Sequence, residues 1–244
     1  MRVTTVGSGD AFGSGGRFQT CIALAVDAQA APSVLLDYGA TSLTALRQQH
    51  VDTNKIESVL VSHLHGDHFA GLPFLVLDGQ FRRRTRDLTV VGPSGTAARL
   101  EQAMETLYPG SSRVHRRFAV NVVEHVDRRP LELGLMRLTP FEVRHASGAP
   151  AYALRVDAPD CSVAYSGDTE WTDALLDVAD GADLFLCEGY NPTPVRWHLD
   201  LDTLDLQRDR LGCRQLVLTH LSPSALASDL SDWRVADDGW QLDV

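Results

Sequence analysis

Residues 59–73 read VLVSHLHGDHFAGLP. His63, His65, Asp67 and His68 fall within six residues, directly behind an apolar, β-branched run. A short strand that ends in such a cluster delivers it to a strand-to-loop junction, where a rigid element fixes what the loop presents. Along an extended strand, residues two apart point to one side, so His63 and His65 are expected to grip one ion. A turn at Gly66 then redirects Asp67 and His68 toward a second. Imidazole nitrogen and carboxylate oxygen suit Zn2+, with Mn2+ or Fe2+ as alternatives, and a catalytic ion keeps one position open for water or substrate. Four residues cannot complete two ions. His145 closes FEVRH, Asp168 closes VAYSGD and His220 closes LVLTH, so three further strand ends offer ligand types. One such residue more often satisfies a turn; four strand ends that all do so are hard to explain as turns.

Outward from the cluster, the chain alternates strand and helix patterns. RVTTVG, TCIALAVD and SVLLDYG read as strands, each rich in aliphatic or β-branched residues and closed by Gly or Asp. A helix is expected over Ser42 to Gln49, where Leu43 and Leu46 share a face, and IESVLVS is the strand that carries the histidines. LPFLVLDGQFRR reads as helix, LTVVGP as strand, and Ser94 to about Tyr108 as helix with Ser94 as its N-cap. MRLTPFEVRH, YALRVDA and CSVAYSGD are expected strands, followed by a helix near Thr172 to Val178, the strand ADLFLCEG and a helix near Leu201 to Leu211. RQLVLTH is the last ligand-bearing strand, and GWQLDV a possible edge strand. Strands in both halves with helices between them predict an α/β sandwich of two mixed sheets flanked by helices. No Pro/Gly/Ser-rich linker divides the chain, so residues 1–244 are expected to form one domain.

Composition narrows the function classes. The 44% hydrophobic and 22% charged content is that of a globular protein, and the net charge of -10 argues against coating nucleic acid with the whole surface. From Phe81 to Arg137, however, eleven arginines stand against six acids, with clusters at Arg82, Arg83, Arg84 and Arg86 and at Arg113, Arg116 and Arg117. These are either solvated surface or a basic rim beside an active site. Cys21, Cys161, Cys187 and Cys213 form no C-x-x-C pair, which fits reduced thiols in a cytoplasmic protein. CIALAVDAQAAPS imitates a signal peptide, but Asp27 interrupts it and a Gly-rich segment stands where a basic region belongs. No run approaches the ~20 apolar residues of a membrane span.

SHLHGDH at 62–68 is similar to the H-x-H-x-D-H motif of the metallo-β-lactamase superfamily, and His145, SGD at 166–168 and TH at 219–220 follow in the order of its later metal motifs. The resemblance covers nearly the whole chain, beginning with TTVGSGDAFGSGGR. It implies a four-layer αβ/βα sandwich with two divalent metal ions in the cleft between its sheets. His63, His65 and His145 would hold the first ion, Asp67, His68 and His220 the second, and Asp168 would bridge them. The true β-lactamases of the superfamily place Cys at the Asp168 position and are exported, and a flavo-diiron oxygen reductase would replace His65 by Glu.

Within the superfamily the chain most resembles the ribonuclease Z branch, through LTVVGPSGTAARLEQAME, CEGYNPTPVRWHLDLDTL and RQLVLTHLSP. The second of these segments supplies one additional histidine, His198. The branch implies hydrolysis of a phosphodiester, in RNA or in a small or cyclic molecule, by water activated between two zinc ions, in a homodimer. Asp67 and His198 are then the candidate catalytic residues, His198 giving a proton to the leaving alkoxide or stabilising charge on the phosphorane. A lactone, ester or thioester hydrolase could use the same metals; a noncatalytic module is the least supported, because all seven ligand types remain. Two departures stand out. Only 22 residues separate His145 from Asp168, too few for the long arm with which many ribonuclease Z enzymes hold tRNA, and HASGAPAYALRV keeps that branch's P-S-x-x-Y-R segment only loosely. GSGDAFGSGGR could form an anion-binding nest, but a tight turn is the simpler use of its glycines.

Overall fold

The computed structural model describes residues 1–244. Strands β1 (Arg2–Gly7), β2 (Cys21–Ala25), β3 (Val34–Leu36), β4 (Ser58–Leu60), β5 (Leu88–Gly92) and β6 (Val120–Glu124) lie side by side in chain order, antiparallel as far as β3 and parallel from there. A second sheet follows the same rule with β7 (Leu131–Leu133), β8 (Met136–Val143), β9 (Ala151–Ala158), β10 (Cys161–Tyr165), β11 (Leu184–Glu188) and β12 (Leu216–Thr219), antiparallel to β10 and parallel after it. The final strand, β13 (Trp240–Asp243), pairs antiparallel with β1 and closes the edge of the first sheet.

Parallel neighbours need crossover connections, and helices supply them. On the first sheet these are α1 (Ser42–Gln48), the single turn α2 (Gly66–Phe69), α3 (Leu72–Phe81) and α4 (Thr96–Leu107). On the second they are α5 (Ala174–Ala179) and α6 (Leu201–Gln207), with α7 (Pro223–Leu226) after β12. Period-two alternation sorts each strand between two cores. Val59 and Val61 turn toward the outer helices with Leu35, Leu72 and Leu100, whereas Leu60 turns inward with Leu36 and Val91 to meet Leu138, Leu154, Val163 and Leu186 of the other sheet. The outer face of the second sheet packs Ala164, Phe185 and Leu218 against Leu175, Leu201 and Leu204 of its helices. The layers are therefore helix, sheet, sheet, helix. Strands buried on both faces explain the unbroken apolar runs VLL, SVLV and LFLC.

Several local expectations are corrected. Strand β4 stops at Leu60, so His63 and His65 share a site through an irregular loop and not through strand alternation, and Gly66 opens a helical turn in place of a redirecting bend. Helix α4 begins after Gly95 (φ 88°), not after a Ser94 cap, because the Gly95 N–H is taken by Glu124 Oε1 at 2.7 Å and Thr96 Oγ1 donates to the Pro93 carbonyl at 2.6 Å. The helix expected at Thr172 starts at Ala174, and the one expected to reach Leu211 ends at Gln207 and tightens into a 3-10 turn over Arg208–Arg210. Strands β6 and β7 carry mixed, half-exposed patterns that gave no sequence expectation. All four cysteines are free thiols, and no helix is long and apolar enough to cross a membrane.

Two glycines let the loop after β3 lie directly on the turn that carries Asp67. A Cβ on Gly39 would meet the Asp67 carbonyl oxygen at 2.2 Å, and one on Gly71 would meet the Gly39 carbonyl oxygen at 2.2 Å and Tyr38 Cδ1 at 2.5 Å. Gly71→Ala is therefore expected to destabilise the fold by about 1–3 kcal/mol, the usual cost of overpacking. A urea midpoint equal to that of the parent would show the contact to be looser than described.

Candidate metal centre

The C-terminal ends of β3, β4, β8, β10, β11 and β12 converge on one cleft between the sheets, and the candidate ligands sit there in two groups. One is His63, His65 and His145; the other is Asp67, His68, Asp168 and His220, and within each group the ligand atoms lie within 4.8 Å of one another. His145 Nε2 is 3.0 Å from His65 Nδ1. His68 Nε2 is 3.2 Å from Asp67 Oδ2 and 3.3 Å from Asp168 Oδ1. Asp168 Oδ2 faces His220 Nε2 at 3.4 Å, His63 Nε2 at 3.7 Å and His145 Nε2 at 3.9 Å, so this one carboxylate touches both groups. Two donors each ~2.0 Å from a tetrahedral ion stand roughly 3.3 Å apart, and these spacings surround that value.

Four of the five candidate imidazoles are oriented from behind; His65 is not, its Nδ1 facing His145 Nε2. Nδ1 of His63 meets Ser62 Oγ at 3.0 Å, Nδ1 of His220 meets Thr20 Oγ1 at 3.1 Å, and Nδ1 of His145 donates to the Trp197 carbonyl at 2.7 Å. His68 Nδ1 donates to Asp37 Oδ2 at 2.7 Å. Asp37 also accepts from the Ser62 N–H and hydroxyl, both at 2.7 Å, and from Tyr165 OH at 2.8 Å. With Nδ1 occupied, Nε2 is the nitrogen left for an ion, the arrangement that outer partners of metal-binding histidines produce. Three of the six non-glycine residues in the left-handed region lie here: Asp37 (φ 57°), Trp197 (φ 74°) and His220 (φ 60°).

The donors fit a cation. His63 Nε2, His68 Nε2 and Asp168 Oδ1 are buried and have no hydrogen-bond partner in the protein, a cost that a native interior rarely leaves uncompensated. Burial drives His63, His145 and His220 below the ordinary histidine range, toward the neutral form that ligates. Burial resists ionisation of Asp67 and Asp168, but the surrounding imidazoles outweigh it and hold both carboxyls low, Asp168 strongly so. His68 runs the other way: burial opposes its charge, yet Asp168, Asp67 and Asp37 together hold it well above the usual value. A cation at this place would be attracted by the same three carboxylates.

Beside the second group stands His198, three residues before α6, with its Nδ1 2.9 Å from Glu188 Oε2 and 3.8 Å from Asp168 Oδ2. Glu188 is fully buried and accepts from the Thr169 N–H and, at 3.2 Å, from the Leu199 N–H. Burial and the charge of Asp168 push Glu188 up to about 7. Burial lowers His198, but its hydrogen bond to Glu188 and the charges of Glu188 and Asp168 prevail and raise it to about 9. Tyr190 stacks on the His198 ring at 4.1 Å. Sequence inspection missed Asp37 and Glu188 as site residues. Both were visible only as acids ending apolar strands, SVLLD and LFLCE.

The arginine clusters lie elsewhere. Arg84 is buried and donates to the carbonyls of Thr53, Ile56, Arg86 and Asp87, and Arg86 pairs with Glu57 at 2.5 Å, all at the N-terminal ends of β4 and β5. Arg113, Arg116 and Arg117 precede β6 at that same end. Of the two readings of these clusters the basic rim is excluded, since the parallel strands point their opposite ends at the cleft, and Arg84 departs from the solvated-surface reading by being buried. The arginines beside the cleft are Arg144, adjacent to His145, and Arg196, whose guanidinium lies 4.3 Å over the Trp197 ring; both are exposed. The Gly-rich segment between β1 and β2 is a loop against His220, whose N–H donates to the Ser8 carbonyl at 3.0 Å.

Residues 32–221 match the family described as the beta-lactamase superfamily domain. The uncharacterized protein Rv1339 of Mycobacterium tuberculosis is 33% identical over 217 residues, covering 85% of this chain and 77% of that protein. A ribonuclease Z from Agathobacter rectalis is 24% identical over 250 residues, covering 81% of this chain and 80% of its own length. Among solved structures, the short form of human tRNase Z superposes with a TM-score of 0.78 at 21% identity, covering 100% of this chain and 99% of that one.

Two substitutions separate the direct donors from their supports. Asp168→Ala is expected to cost at least one equivalent of bound metal, and unaltered stoichiometry by elemental analysis would remove Asp168 from the donor set. Asp37→Asn is expected to keep the stoichiometry but weaken affinity by roughly 10–100-fold in a chelator competition, as loss of an outer-sphere partner does.

Proposed function

The chain belongs to the metallo-β-lactamase superfamily and is a hydrolase of it, and on that premise we propose a ribonuclease Z-like phosphodiesterase that works with two divalent ions, Zn2+ first among them. The observation that carries this reading is the buried Glu188–His198 pair set 3.8 Å from Asp168. Hydrolysis of a phosphodiester expels an alkoxide, which needs a proton, and an imidazolium fixed by a buried carboxylate is a suitable donor. Hydrolysis of an ester or lactone also expels an alkoxide, so only a comparison of substrates separates the two classes.

His63, His65 and His145 would hold one ion and Asp67, His68 and His220 the other, with Asp168 between them. Ions so held supply an acidified water and neutralisation of phosphate charge. The protein does the rest. Glu188 fixes the His198 ring through Nδ1 and leaves Nε2 to give its proton to the departing oxygen. Asp67, kept ionised by His68 and His220, is placed to take a proton from the attacking water. Arg144 and Arg196 flank His145 and the backbone that holds it, where exposed guanidinium groups can orient a second phosphate or the remainder of a polyanion. The 22 residues between His145 and Asp168 are occupied by β9 and β10 with short turns and form no long arm.

The test assays metal-loaded protein in parallel against precursor tRNA, cyclic nucleotides, bis(p-nitrophenyl) phosphate and a lactone. Turnover of the lactone alone would move the assignment to the carboxylic ester hydrolases. His198→Ala is expected to lower kcat by roughly 10²–10⁴ with metal content preserved, the range of a lost general acid. The pH profile gives an independent check. His198 keeps its proton below about 9 and loses it above, and Glu188 is a main cause of that elevation. In Glu188→Gln the alkaline fall in kcat is therefore expected to begin at lower pH. A decline at the parent pH would detach Glu188 from the acid.

A further inference from the structure

The loop between β1 and β2 holds one aromatic side chain out in solvent beside the metal centre. Both stems of the loop grip His220: the Ser8 carbonyl accepts from its N–H at 3.0 Å, and Thr20 Oγ1 meets its Nδ1 at 3.1 Å. Between the stems, the buried carboxylate of Asp10 accepts from the N–H of Phe12 at 3.2 Å and from the N–H and hydroxyl of Ser14 at 2.9 and 2.7 Å. Gln19 Nε2 ties back to the Ala11 carbonyl at 2.9 Å, and Asp238 takes the N–H of Ser8 at 2.9 Å and of Phe18 at 2.8 Å. Gly13, Gly15 and Gly16 adopt φ of 68°, 70° and 78°, and a Cβ on Gly15 would sit 3.0 Å from Leu226 of α7, so the loop is braced on its outer side as well.

Phe12, at the tip of this fixed backbone, is 86% exposed, more than any other large hydrophobic residue of the chain. Scattered exposed apolar residues are ordinary, but the setting of this one is not. Phe81, Leu107, Tyr108 and Val114 line one groove with each other on the outer helices, and Leu206 lies on the outer face of α6. Phe12 alone projects from a segment hydrogen-bonded to a candidate ligand. A mobile loop could fold a phenyl ring down; here the buried Asp10 and the three left-handed glycines hold it up. An exposed aromatic face on a braced loop whose two stems hold a candidate ligand is a platform for a planar ring, and it accepts any base because every base has a π-face.

We propose that Phe12 stacks on the nucleobase of a nucleotide phosphodiester whose phosphate lies at the metal centre, which makes it a specificity-determining contact that favours nucleotides over aliphatic phosphodiesters. This rests on the phosphodiesterase assignment. Anionic groups would then fall to Arg144 and Arg196, on the segments of His145 and Trp197, and the ring to Phe12, on the loop that holds His220.

The experiment uses the full-length metal-loaded chain and Phe12→Ala and Phe12→Trp. Calorimetry compares thymidine 5′-monophosphate with methyl phosphate, and kinetics compare thymidine 5′-(p-nitrophenyl phosphate) with methyl p-nitrophenyl phosphate, which share a leaving group. Phe12→Ala is expected to weaken the nucleotide by roughly 5–100-fold relative to methyl phosphate, the range of a lost base stack. The kcat/KM ratio of the two esters should fall by a similar factor through KM, and Phe12→Trp should restore both. Equal effects on the nucleotide and methyl ligands, or none on the nucleotide, would overturn the proposal. Failure of the phosphodiesterase assignment looks different: the parent would turn over neither ester, while calorimetry would still decide whether Phe12 selects the nucleotide.

Discussion

The carboxylate of Asp37 accepts from the backbone and hydroxyl of Ser62, from His68 Nδ1 and from Tyr165 OH, and so fastens the ends of β3, β4 and β10 at one buried point. It joins the two halves of the sandwich as well as fixing one imidazole, since Tyr165 belongs to the second sheet and the other partners to the loop and helical turn that follow β4 of the first. A buried charge is costly unless every lone pair is engaged. Four donors at 2.7–2.8 Å meet that condition, and each of them is itself immobile. Positions of His63, His68 and Asp168 follow from this node, because Ser62 precedes His63 and Tyr165 leads by three residues into Asp168. The left-handed φ of 57° at Asp37 is the strain that this placement requires.

The sheet strands that bring the site together were legible in the sequence because they are buried on both faces, which makes them short, continuous apolar runs with polar ends. Leu35 and Leu36, or Val59 and Leu60, serve different cores, yet both members of each pair had to be apolar. Strands β6 and β7 escaped notice for the converse reason: they lie at sheet edges and half their side chains face water. The histidines were visible by type. Asp37 and Glu188 were not, because an acid that closes a strand is written the same way whether it faces solvent or receives four hydrogen bonds from distant segments. Arg84 illustrates the opposite error, in which a run of like charges suggests a surface although one member is buried among four carbonyls.

Charge placement around the cleft has a simple topological origin. Parallel strands give a sheet two unlike ends, and here the catalytic candidates occupy the C-terminal end while the arginine-rich connections return along the other. The neighbourhood of the cleft is therefore built by single residues on tight connections, such as Arg144, Arg196 and Phe12, and not by the clusters that dominate a linear reading of charge.

Every candidate donor of the centre is a nitrogen or an oxygen, and the buried position shared by both groups is Asp168, where a thiolate would serve in the exported relatives. Sulfur ligands are lost stepwise to sulfenic and sulfinic acids or to disulfides, a ladder that starts from a thiol and that none of these donors can enter. None of the chain's four thiols is among the candidate donors, and Cys21 and Cys187 are buried in separate hydrophobic clusters. Oxidation of the chain's thiols would thus leave the composition of the candidate donor set unchanged.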